Sequence, residues 1–192
     1  MSIASTENWF IDRLKAVFQD HLRAVESLPA DFDDQAFERM LREAPGVYVV
    51  FNGGDRAEGY GDHLVIDSRW SFYAVTGHQQ GDLARRHGDA RMIGAYTMIE
   101  LLLGTLEEAM PPDAAEAMRV LSIGNVYSDA VEYKGATAYV IECGMHQGIG
   151  PSAQDPAEPD LAAFITFHGD IDLAEPDGEI DAADTVTLPQ GP

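Results

Sequence analysis

Apolar residues recur every three or four positions near the start of the chain. Phe10, Leu14, Val17, His21 and Val25 share one face if residues 5–28 are helical. Thr6 is the expected cap, Glu7 lies in the first turn, and Pro29 ends the run. A second, short helix is predicted over 34–43, capped by Asp34, with Phe37, Met40 and Leu41 on one side and Pro45 as its stop. The period then changes. GVYVVF (46–51) is a short β-rich apolar run, and HLVIDSRWSFYAVTGH (63–78) alternates clearly from Asp67 onward. These two are expected to pair as a hairpin around the loop 52–62. A long helix follows at 82–110, with Met92, Tyr96, Ile99, Leu103, Leu106 and Met110 on one face, Leu102 widening the stripe, and Pro111–Pro112 ending it. Two further strands are read at 119–129, through Leu121, Ile123 and Val126, and at 132–147, through Ala136, Ala138, Val140 and Cys143.

Hairpins alternating with helices define an α+β fold: an antiparallel sheet of four strands, or slightly more, with helices on one face, in the order α-(α)-β-β-α-β-β. Residues 1–149 are expected to form this domain. The character changes after Ile149. GPSAQDPAEPD is a proline- and acid-rich linker, and 161–173 is read as one extra strand or docking segment. Residues 150–192 form an acidic arm ordered mainly by contact with a partner or a neighbouring subunit. The last basic residue of the chain is Lys134.

Charge narrows the function classes. The chain carries 33 acids against 12 bases, a net charge of −21 over 192 residues. A protein that grips nucleic-acid phosphates needs a basic surface, so that class is disfavoured. A surface past which DNA slides without adhering remains compatible. Charge of this size repels itself, so assembly of several copies should depend on salt or divalent cations. The single cysteine, Cys143, excludes an internal disulfide framework and fits a cytoplasmic origin; it is read as a small buried apolar residue. The N-terminus shows no basic segment leading into an apolar core, so no signal peptide is read there. The longest apolar stretch, around MIELLLGTL, is too short and interrupted to span a bilayer.

Candidate chemistry is sparse. NGGDRAEGYGDH lacks both phosphate-cradling glycine patterns and carries one arginine against three acids, so it reads as a hairpin loop that contacts a partner. DIDLAEPDGEID (170–181) starts like a calcium loop, but Ala174 and Glu175 break the series and Gly178 is displaced. The histidines show no metal-ligand spacing, and His21 is read as a core residue. With no nucleophile elbow either, the chain is read as a non-enzyme without cofactor.

The order of these segments resembles a family of small proteins from Mu-like phages and prophages, similar to tail terminator proteins, over roughly residues 3–170. The most specific points are REAPGVYVVFNG and the pair Arg91 and Gly94 opening MIGAYTMIELLLGTL. The resemblance implies a virion protein assembled in the host cytoplasm. It would form a ring with copies of itself, a hexamer, on the head-proximal end of the tail tube, with the sheet toward the ring interior. There it would stop tube polymerisation and offer a surface to the head–tail connector or neck protein, while DNA passes through without specific binding. An acidic lumen would repel the phosphates. Candidate interface residues are Asp55, Arg56, Glu58 and Tyr60 in the glycine loop, and Arg85, Arg86 and Arg91 before the long helix. Tyr133 and Lys134 at the 128–134 junction, and Phe164 and Phe167 in the arm, complete the set. Two other readings are a connector or neck component, and an acidic module that binds a host protein by mimicking DNA.

Overall fold

The computed structural model describes residues 3–30, 34–58, 64–77, 81–112, 114–126 and 135–149, together with the backbone of 166–171 and 182–187. The chain divides into two compact units, Met1–Gly150 and Pro151–Pro192. The first is α+β. Its helices are α1 (Ile3–Phe18), α2 (Asp34–Arg42), α3 (Asp82–His87) and α4 (Ala95–Leu106). Its strands are β1 (Ala24–Leu28), β2 (Gly46–Arg56), β3 (Val65–Gly77), β4 (Arg119–Asn125) and β5 (Ala136–Gly148), ordered β1-β2-β3-β5-β4 in one sheet.

Alternation along the strands sorts side chains onto two faces. Val47, Val49, Trp70, Phe72, Ala74, Ile141 and Cys143 point to one face and pack with Phe10, Leu14 and Phe18 of α1 and Met98, Leu102 and Leu106 of α4. Tyr48, Val50, Val75, Ala136 and Ala138 belong to a second cluster with Met40 and Leu41 of α2, so α2 covers one end of the opposite face. A buried hydrogen bond ties α1 to β5: the Gln147 amide donates to the Thr6 hydroxyl at 2.8 Å.

Several expected boundaries move. The first helix ends at Phe18, where a 3-10 turn (Gln19–His21) redirects the chain, with Gln19 at φ 48°. Residues 24–28 then pair with β2 in parallel, so the sheet is mixed rather than wholly antiparallel. Thr6 consequently lies inside α1, bonded to Gln147 instead of capping, and His21 is exposed rather than in the core. The long helix 82–110 is two helices separated by Gly88–Gly94. Its buried face carries Ala95, Met98, Leu102, Thr105 and Leu106, while Tyr96 is 36% and Met110 55% exposed.

The glycine-rich stretch also resolves differently. Asn52–Arg56 continues β2 rather than opening the loop. The register with β3 shifts between Phe51 and Gly53, a β-bulge. Gly53 takes φ 95°, and a side chain on Gly54 would approach the Asp67 carbonyl oxygen to 2.5 Å. These glycines therefore permit a bulged ladder, and the backbone bonding continues beyond it, with Ala57 N–H donating to Val65 O at 2.8 Å.

In the second unit, β6 (Thr166–Ile171) and β7 (Ala182–Thr187) pair antiparallel as a two-stranded sheet, so the arm holds a second strand beyond the one expected near 161–173.

Candidate interface surfaces

Gly88 and Gly94 build the turn that presents the arginines. An isolated antiparallel bridge joins Gly88 to Ile93, and Gly88 takes φ 73°. The Asp89 carboxylate accepts from the N–H groups of Arg91 (2.7 Å) and Met92 (2.9 Å), closing the turn. Arg91 is exposed at its tip.

Arg85 and Arg86 behave differently despite adjacency. Arg85 turns inward: its Nε donates to the Thr137 hydroxyl at 3.3 Å, and its backbone oxygen accepts from the Thr76 hydroxyl at 3.1 Å. That anchors α3 to β3 and β5. Arg86 stays at the surface, bonded to Asp82 at 2.8 Å and donating to the Tyr96 oxygen at 3.2 Å. Tyr96 also meets the rings of His87 (5.3 Å) and Tyr139 (6.3 Å). The Arg86 hydrogen bond lowers the Tyr96 phenol below its ordinary value, while burial first, and the bond to Tyr96 second, raise Tyr139. Tyr96 and Tyr139 escape a reading from sequence because the 3.6-residue stripe places Tyr96 on the buried face. The signal that could have found them is the Gly88–Gly94 break, which resets the helix phase.

Asp55, Arg56 and Glu58 are exposed at the far end of β2. They stand at the opposite end of β3 from the arginine turn, so these two sets do not form one patch. Tyr60, Tyr133, Lys134 and Phe164 lie outside the described residues, and Phe167 falls within the backbone of β6.

The sheet face left open by α2 carries both signs of charge. Register places Asp55, Asp67 and Glu142 there with Arg69 and Arg119. Arg69 bonds Asp67 at 2.6 Å, and the Ser122 hydroxyl donates to Glu142 at 2.7 Å. The acid excess is greatest elsewhere: residues 151–192 hold ten acids and no base.

The edge strand β4 is more exposed than its apolar pattern implied, with Leu121 at 50% and Ile123 at 48%. Cys143 is buried beneath the sheet, where desolvation, reinforced by Glu107, pushes its thiol up to about 12. Only thiolate reacts readily. Iodoacetamide at pH 8 is therefore expected to leave Cys143 intact in the folded protein and to modify it in urea; modification at the free-thiol rate without denaturant would contradict this packing. Among the described residues, no group of three or more His, Cys, Asp or Glu is arranged to hold a metal ion, and no helix is long and apolar enough to cross a membrane.

The sequence model of the family described as Bacteriophage Mu, Gp37 matches residues 2–147. The chain is also similar to Mu-like prophage FluMu protein gp37 of Haemophilus influenzae, at 27% identity over 189 residues, covering 97% of this chain and 91% of that protein.

Proposed function

Because the chain belongs to the Bacteriophage Mu Gp37 family, we propose that it is a structural tail terminator. In this reading copies of the protein close into a ring, a hexamer, on the head-proximal end of the tail tube. The ring stops tube polymerisation and presents a surface to the head–tail connector. The observation that carries the reading is the family match across the α+β unit, which includes the glycine turn and the bulged β2–β3 hairpin. The net charge of −21 supports it physically, since DNA phosphates passing the ring would meet repulsion rather than adhesion. With both signs present on the open sheet face, that repulsion is a property of the whole charge and of the acid-rich residues 151–192.

Electron microscopy of lysates from phage lacking this gene tests the role. Over-long or irregular tubes detached from filled heads are expected. Tails of uniform length that fail to join heads would instead assign a connector role. Normal infectious particles would sink both and favour the acidic host-binding module.

Ring closure is proposed to use the arm, reaching from one subunit to the next. Truncation after Gly150 is then expected to leave the first unit folded, with unchanged far-UV circular dichroism from its helices, while light scattering shows loss of the oligomer. Oligomers of normal mass from the truncated chain would exclude this use of the arm.

A further inference from the structure

The sheet ends at β4, and only part of that edge is closed among the described residues. Residues 107–109 cover its beginning. Met118 N–H donates to Ala109 O, Glu108 N–H donates to Met118 O, and Val120 N–H donates to the Glu107 carboxylate at 2.8 Å. Beyond the bulge at Leu121 the cover stops. Val126 N–H donates inward to Ala138 O, so strand alternation turns the backbone groups of Ile123 and Asn125 outward. An edge presenting outward backbone groups beside exposed Leu121 and Ile123 is a template for another strand. Its far end adjoins a rich contact surface: Asn125 is in register with Tyr139, which meets Tyr96, which holds Arg86. Tyrosine and arginine are the residue types that anchor interfaces.

The second unit supplies the complementary need. A two-stranded sheet is marginal alone in water and gains from a third strand. Within it β6 carries Gly169 mid-strand, which weakens pairing, whereas β7 has no glycine and runs through Thr185, Val186 and Thr187, all β-branched. Charge is complementary at one end: the region holding β7 has ten acids and no base, and β4 starts at exposed Arg119, while Arg86 is already paired with Asp82.

We propose that β7 of one copy adds as a sixth strand to the open edge of β4 in a second copy. One donor and one acceptor per chain make a head-to-tail contact, the kind that closes into a ring. The inference rests on the ring reading and names the contact that joins neighbours.

The test mixes two full-length variants, Asn125→Cys and Thr185→Cys, each with its own tag. High salt screens the negative self-repulsion. Buried Cys143 does not compete. Mild oxidation is expected to give a disulfide-linked heterodimer at least about tenfold more abundant than a control mixture of Glu38→Cys with Thr185→Cys, because pairing raises the effective thiol concentration. Light scattering on the same samples separates the failures. Oligomers without the cross-link would overturn strand addition and leave the ring reading standing. Monomers without the cross-link would overturn both. A chain carrying both cysteines that closes a disulfide within one monomer would assign β7 to its own β4 and overturn the second-copy proposal.

Discussion

Gly94→Ala is expected to lose about 3 kcal/mol of stability, the upper end of the cost of forcing atoms into filled space. A Cβ at Gly94 would stand 2.6 Å from the Arg86 oxygen and closer still to backbone atoms of Gly88 and His87. Backbone cannot swing aside as a flexible side chain can, so α3 would have to lift from the start of α4. Lifting α3 would also strain the Arg85–Thr137 and Thr76–Arg85 bonds. Conformation is not the reason: Gly94 has φ −89°, which any residue adopts. The contrast is Gly104, exposed inside α4, where a methyl group would meet nothing within 4 Å. There the same substitution should stabilise by about 1 kcal/mol through helix propensity. Urea unfolding of the two variants checks the opposite signs. A Gly94→Ala protein as stable as the parent would mean the turn is not packed as described. The glycine of the Arg91–Gly94 pair is thus explained by space, while Arg91 stands exposed at the tip of the turn.

Phe10→Ala is expected to cost about 4 kcal/mol, as large-to-small changes in a close-packed core do. Phe10 is buried and meets Trp70 edge-on at 5.3 Å and Phe72 at 5.2 Å. It therefore couples α1 to the centre of β3, and its loss leaves a cavity that neither ring fills. At about 3 °C per kcal/mol for a unit of this size, the melting temperature should fall by about 12 °C. Val17→Ala, on the exposed side of the same helix, should change stability by no more than about 0.5 kcal/mol. Calorimetry on both variants measures the difference. A Phe10→Ala loss below about 1 kcal/mol would mean that α1 is not docked on this sheet.

Much of the architecture was legible because local pattern and final environment agree. GVYVVF and ATAYVIECGMH lie in central strands, where β-branched and aromatic residues suit both the extended backbone and burial. The short helix at 34–43 is correctly bounded because Pro45 excludes continuation. Candidate surfaces were legible only as charged or turn-rich segments. Adjacent Arg85 and Arg86 look alike in sequence, yet one is bonded to Thr137 and the other to Asp82 and Tyr96.

Other features depend on contacts between distant residues. AVESL (24–28) carries apolar residues at a spacing that continues the first helix, and the partner that makes it a strand is β2, some twenty residues later. Glycines 53 and 54 read as a loop until Asp67 and Ser68 lie alongside and the bulge becomes necessary. Leu121 and Ile123 have the pattern of a core strand, but their exposure follows from the position of β4 at the sheet edge. Composition and periodicity thus established the α+β class, the acidic character and the central strands, since these depend on each residue's own preference for water and backbone shape. Sheet order, the break between α3 and α4, and the open edge depend on which surfaces meet across the chain, and those pairings arise only when the core closes.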